Sequence, residues 1–168
     1  MDKSVMLLRA ITMFVVIAGL AACSSIDCSL TGKVLCKYYI QTSEGKDSVL
    51  EYPLSVTFSR PLADEDTVYI NQQENVSSFE LPMSHIAESD AFTLTLHINE
   101  ETTISDKVTI TKTNQASFES VECPARYRHT LQDVTYTKNF IDTIIINDTK
   151  VSNDASAKNI FIRLNGSN

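Results

Sequence analysis

Tryptophan is absent from this chain of 168 residues, and glycine, proline and cysteine number four each. So little glycine leaves no phosphate-cradling Gly loop and no Gly-x-Ser-x-Gly nucleophile elbow. Three histidines and four cysteines are few, and no Cys-x-x-Cys or His-Glu-x-x-His occurs. That inventory is too sparse for a closed zinc site, so neither a metal nor a cofactor is expected. Basic residues are also short, 14 against 21 acidic, for a net charge of -7 and a pI of about 4.9. A nucleic-acid binder carries a basic footprint, so no nucleic-acid partner is expected. With 43% hydrophobic residues and little Gly or Pro, the chain is neither collagen-like nor disordered.

What is present begins with an address. Lys3 and Arg9 precede the apolar run Ala10–Leu20, and small residues Ala21 and Ala22 follow. This is the n-region, h-region and cleavage pattern of an export signal over residues 1–22. The run is shorter than the about 20 residues that span a bilayer. Leu20-Ala21-Ala22-Cys23 has the form of a bacterial lipobox, in which the Cys23 thiol takes a diacylglycerol. Each buried methylene contributes about 0.8 kcal/mol, and stable anchoring takes more than one chain. The membrane is therefore an expected partner, through lipid rather than through a helix. Loss of Asp2, Lys3 and Arg9 with the signal leaves a net charge of -8. Residues 23–32 then form a tether, and residues 33–165 a single domain, long enough to bury about two thirds of its unfolded surface.

Cys28, Cys36 and Cys123 remain, and an odd number leaves one thiol over. Cys36 sits within Val34-Leu35-Cys36-Lys37-Tyr38-Tyr39-Ile40, a strand pattern, where cysteine behaves as a small buried hydrophobe. Cys28 and Cys123 lie at irregular segments and are expected to form the disulfide. Closing so long a loop contributes about 4 kcal/mol in the chain-entropy account.

The hydrophobic period is two. Phe92, Leu94, Leu96 and Ile98 alternate with Thr93, Thr95 and His97, and Thr102–Lys112 returns after Asn99-Glu100-Glu101 as a hairpin. Further strands are expected at Lys33–Gln41, Val49–Ser59, Thr67–Asn71, Val76–Leu81, Phe118–Val121, His129–Lys138, Ile141–Asn147 and Ile160–Leu164. Turns are expected at Thr113–Ala116 and Asp148–Asn159, among others, and Pro53 points to an edge or a bulge. About ten short strands predict an all-β protein, an antiparallel immunoglobulin-like β-sandwich, with a small β-barrel as the alternative.

Candidate sites are modest. Arg126, Arg128 and His129 form a local basic cluster able to hold a phosphate or carboxylate. The competing reading pairs them with the protein's own surplus acids. His97 is expected on the polar face of its strand and His85 in a loop. Asp64-Glu65-Asp66 and Glu100-Glu101 are acidic turns without the spacing of a calcium loop. Tyr38 and Tyr39 are adjacent in one strand, so one of them faces outward, where a ring can stack on a sugar.

Ser25-Ile26-Asp27-Cys28, Phe118-Glu119-Ser120-Val121-Glu122-Cys123-Pro124, His129-Thr130-Leu131, Asn139-Phe140-Ile141-Asp142-Thr143-Ile144, Val151–Ser156 and Asn159-Ile160-Phe161-Ile162 resemble a family of uncharacterised Bacteroidetes lipoproteins. The resemblance implies an envelope lipoprotein with one β-domain and pairs Cys28 with Cys123. It carries no activity. Cys36 and Arg126-Tyr127-Arg128 depart from the family pattern. The lineage also implies O-glycosylation at Asp-Ser/Thr-apolar triplets, which places Ser48 and Thr67 as acceptors and Thr143 less so. Ser24-Ser25 carries no acidic cluster, which favours an outer-membrane lipoprotein facing the periplasm over one displayed at the surface.

The expectation is a non-enzymatic, lipid-anchored structural or interaction module that binds another envelope protein by a sheet edge or loop face. A glycan-binding accessory module is the alternative.

Overall fold

Alternation builds nearly every element. In the computed structural model, which describes residues 34–59, 66–118, 125–152 and 156–165, the described residues form ten strands and no helix. In chain order these are β1 (Leu35–Gln41), β2 (Leu54–Phe58), β3 (Thr67–Gln73), β4 (Ser78–Pro82) and β5 (Ser89–His97). They continue with β6 (Thr103–Ser117), β7 (Arg126–Tyr136), β8 (Ile141–Ile146), β9 (Lys150–Val151) and β10 (Ile160–Leu164). Two sheets result, one in the order β4-β1-β10-β8 and one in the order β3-β2-β5-β6-β7-β9.

Every second side chain enters the space between the sheets. Cys36, Tyr38 and Ile40 come from β1, Phe92, Leu94 and Leu96 from β5, and Ile160, Ile162 and Leu164 from β10, all buried. Tyr38 stacks on Phe79 of its own sheet at 4.9 Å and meets the edge of Phe92 of the other sheet at 5.6 Å. Such a side chain contributes about 1.5–3 kcal/mol when fully buried. Rings that interlock across the gap fix a sandwich rather than a closed barrel. One pair departs from the antiparallel expectation: β1 and β10 run parallel, Tyr38 opposite Ile160. Buried Asn159 bridges the two sheets there. Its Oδ1 accepts the Lys37 N–H at 3.1 Å, and its Nδ2 donates to the carbonyls of Asp148 and Lys150.

Three boundaries differ from the sequence reading, each for a physical reason. The strand expected from Val49 starts only at Leu54, because β2 lies inside its sheet, where Pro53 has no N–H for the ladder. The expected turn Thr113–Ala116 is part of β6, paired with β7 from Arg126 to Thr130. This length of hairpin runs past most of the core, so its polar side chains carry no alternation to read. The expected turn Asp148–Asn159 contains β9, whose two residues are too short for any period. Of the strand expected at Phe118–Val121, Phe118 follows the end of β6, and 119–121 lie outside the described residues.

Gly45 has φ +82° in the turn after β1, and a Cβ there would lie 2.8 Å from the Arg163 guanidinium. Backbone angle and close approach both require glycine at this position.

Candidate functional site

The inner face of the six-stranded sheet is apolar at its centre and polar at one end. Asp90 on β5 and Lys112 and Asn114 on β6 all point inward there, as does His129 on β7. Period two predicts inward positions at 108, 110 and 112. At the last of these the apolar series gives way to lysine.

Lys112 is fully buried, and its Nζ lies 3.2 Å from Asp90 Oδ2. Two ions removed from water cost several kcal/mol each unless geometry and further hydrogen bonds compensate. Both have such bonds. Lys112 Nζ donates to the Ala87 carbonyl at 2.6 Å, and both Asp90 oxygens accept the Ser84 N–H at 3.2 Å. Burial pushes the Asp90 carboxyl up, and the Lys112 charge and hydrogen bond work against that.

Asn114 Nδ2 donates to the same Ala87 carbonyl at 2.9 Å. A carbonyl only accepts, so this bond orients the Asn114 amide and turns its Oδ1 toward His129. His129 Nδ1, 2.7 Å from that oxygen, is therefore the protonated nitrogen. Burial, then the charge of Lys112, then His85 lower the His129 pKa to about 4. His129 is thus neutral near pH 7. His85 lies over the Tyr127 ring, with centroids 4.6 Å apart.

These contacts converge on the connection between β4 and β5. Ser84 and Ala87 are tied to the buried pair, and Ser84 Oγ accepts the N–H groups of Ile86 and Ala87. Between the tied points stands Ile86, 84% exposed. Phe118, at the same end just past β6, is 72% exposed. Large apolar side chains held in water on a braced loop are what a binding surface offers.

The structure divides the sequence candidates. His129 faces the core, while Arg128 is exposed on the opposite face of β7, so these two do not form one anion site. Arg126 begins β7, and its side chain lies outside the described residues, as do Cys23, Cys28, Cys123 and the Asp64-Glu65 turn. Cys36 is free and buried as expected, and burial pushes its thiol up to about 12. Ser48 is half-buried and Thr67 exposed. Thr143 Oγ1 donates to Asp142 Oδ2 at 3.1 Å. Tyr39 is the outward member of its pair. Lys158 Nζ stands 4.9 Å over its ring, and Phe161 meets it edge-on at 6.3 Å.

His97 is not the solvated residue that its threonine neighbours suggest. Its Nε2 lies 2.8 Å from Ser55 Oγ, and that oxygen accepts the Gln72 N–H at 3.0 Å. Gln72 has φ 47° beside a register shift between β2 and β3. Ser55 is spent on holding that bulge. Sequence spacing cannot reveal the pair, since 42 residues separate its members. Among the described residues no group of three or more His, Cys, Asp or Glu is placed to hold a metal ion.

Residues 53–164 match a family of unknown function (DUF6452), two thirds of the chain, and the chain belongs to that family. The matched span starts after β1 and includes the whole Lys112 cluster. No curated protein and no solved structure gives a match.

Proposed function

We propose that this member of the DUF6452 family is a non-enzymatic protein-interaction module of the cell envelope, held at the outer membrane by lipid on Cys23 and facing the periplasm. The observation that carries the interaction reading is Ile86, 84% exposed on a loop braced from below by the Lys112–Asp90 pair. A preorganised loop loses less entropy on binding, so a single apolar anchor contributes more of its contact energy to affinity. Phe118 supplies a second anchor at the same end. The lipid anchor and the address rest on the Leu20–Cys23 motif and the apolar run before it.

Support for a non-catalytic role comes from how the reactive groups are used. Ser55 fixes a bulge, His129 is neutral and bonded to Asn114, and the Cys36 thiol is held at about 12, far from the thiolate that nucleophilic chemistry needs. The glycan reading draws less support, because a lysine covers the Tyr39 ring and Phe161 meets it on edge rather than coplanar.

The test is a native pull-down. The lipidated full chain, tagged at its C-terminus, is extracted in mild detergent, and its companions are identified by mass spectrometry. A stoichiometric partner is expected, lost in Ile86→Asp/Phe118→Asp and kept in wild type. No partner above an unrelated lipoprotein control overturns the proposal, and so does a partner that the double variant retains.

A further inference from the structure

An open sandwich ends in strands whose outer N–H and C=O groups have no ladder partner. Here those strands are β4 and β8 of one sheet and β3 and β9 of the other. Three of them carry a feature that discourages strand addition. β4 contains Glu80 and Pro82, β8 contains Asp142, and β9 is two residues long and includes Lys150. β3 reads Thr-Val-Tyr-Ile-Asn-Gln-Gln, seven residues without a charge or a proline, in a chain of net charge -7. Val68 and Tyr69 on it are 55% and 47% exposed.

We propose that β3 is a self-pairing edge, joining two copies of this chain β3 to β3 in an antiparallel, two-fold ladder. Charge selects a second copy as the occupant. In a two-fold antiparallel pair each strand meets its own sequence reversed, so a charged residue near the centre faces its like. Two acidic copies repel over most of their surface, and β3 is the edge where that repulsion has no local source. The two register shifts against β2 and the positive φ of Gln72 twist the far half of the strand. Regular pairing is thereby confined to Thr67–Ile70. A contact so short falls below the about 1,200 Å² of a standard interface and is weak between free molecules. Tethering both copies to one membrane raises their effective concentration, and in this respect the inference rests on the lipid-anchor reading above. The pair consumes both β3 edges, so it closes as a dimer and does not propagate.

The test is photo-crosslinking in intact cells that produce two differently tagged full-length copies, with p-benzoylphenylalanine in place of Tyr69. A covalent product carrying both tags is expected, and Val68→Lys in both copies is expected to abolish it. Thr67→Lys, at an exposed position, serves as a second variant should the first accumulate poorly. Absence of the double-tagged product overturns the proposal. So does its survival in both lysine variants, or capture at position 69 of a different protein alone. Fractionation of the same cells tests the anchor separately: a chain found free of membranes overturns the anchor reading, whereas the double-tagged product alone decides self-pairing. The same probe placed at Ile86 reports on the loop partner independently.

Discussion

Two buried aspartates on the inner face of the same sheet hold two loops by different means. Asp106 on β6 is fully buried and accepts four hydrogen bonds, from Thr137 Oγ1 and from the N–H groups of Asn139, Phe140 and Ile141. All four donors are neutral, and the loop they belong to carries Phe140 into the core. Asp90 instead faces the buried Lys112 cation and takes only Ser84 N–H from its loop, while the lysine and Asn114 secure Ala87. That second loop carries its apolar side chain, Ile86, outward. The first arrangement closes the domain, and the second holds a surface in place. The lesson is that a buried charge need not serve catalysis. It can act as a clamp whose product is the loop conformation.

The largest effect is expected at the closed end. Asp106→Ala orphans three backbone N–H groups, each costing about 1–3 kcal/mol when buried and unpaired, so the unfolding free energy should fall by about 5 kcal/mol in urea titration. A loss below about 1 kcal/mol would erase the distinction between the two ends.

Next comes the charged end. Lys112→Met keeps the volume but leaves Asp90 buried without its partner, and about 3–4 kcal/mol should be lost. Lys112→Met/Asp90→Leu should recover more than half of that, since both charges are then gone. Additive losses in this double-mutant cycle would show that the two groups are not coupled.

pH sharpens the contrast. The folded His129 pKa of about 4 lies below the unfolded value of about 6.5. The unfolded chain therefore binds the proton first, and stability falls as pH drops from about 6.5 to about 4, by at most about 3 kcal/mol. Asp90, shifted upward, acts in the opposite direction in acid. The quantity to read is the difference in slope between wild type and His129→Gln, measured by thermal unfolding across that window. Equal slopes would remove His129 from the clamp.

The smallest stability effect belongs to the presented residue. Ile86→Asp, at 84% exposure, should alter unfolding by less than about 0.5 kcal/mol while abolishing partner retention. A larger destabilisation would mean that Ile86 serves the fold rather than a partner.

Much of this architecture was legible in the sequence. Alternation located Phe92, Leu94 and Leu96 on one face and placed Cys36 in the core as a free thiol, because side-chain direction in a strand is a local property. The same alternation put position 112 inward but said nothing of a buried lysine. A local pattern carries no record of the Ala87 carbonyl, 25 residues away, or of Asp90, 22 positions back along the chain. The basic triplet Arg126–His129 reads as one cluster in sequence, yet neighbours along a strand face opposite sides, so Arg128 and His129 part. Likewise Ser55 and His97 meet only through the pairing of β2 with β5.

What the sequence determined by itself was the all-β class, the core positions of the central strands and the lipobox address, since each rests on short-range pattern. Only the tertiary structure decided the parallel β1–β10 pair, the clamp beneath Ile86 and which strand edge is uncharged and open. Those depend on which distant segments become neighbours, and that is settled by the combined burial of all ten strands rather than by any one stretch of the chain.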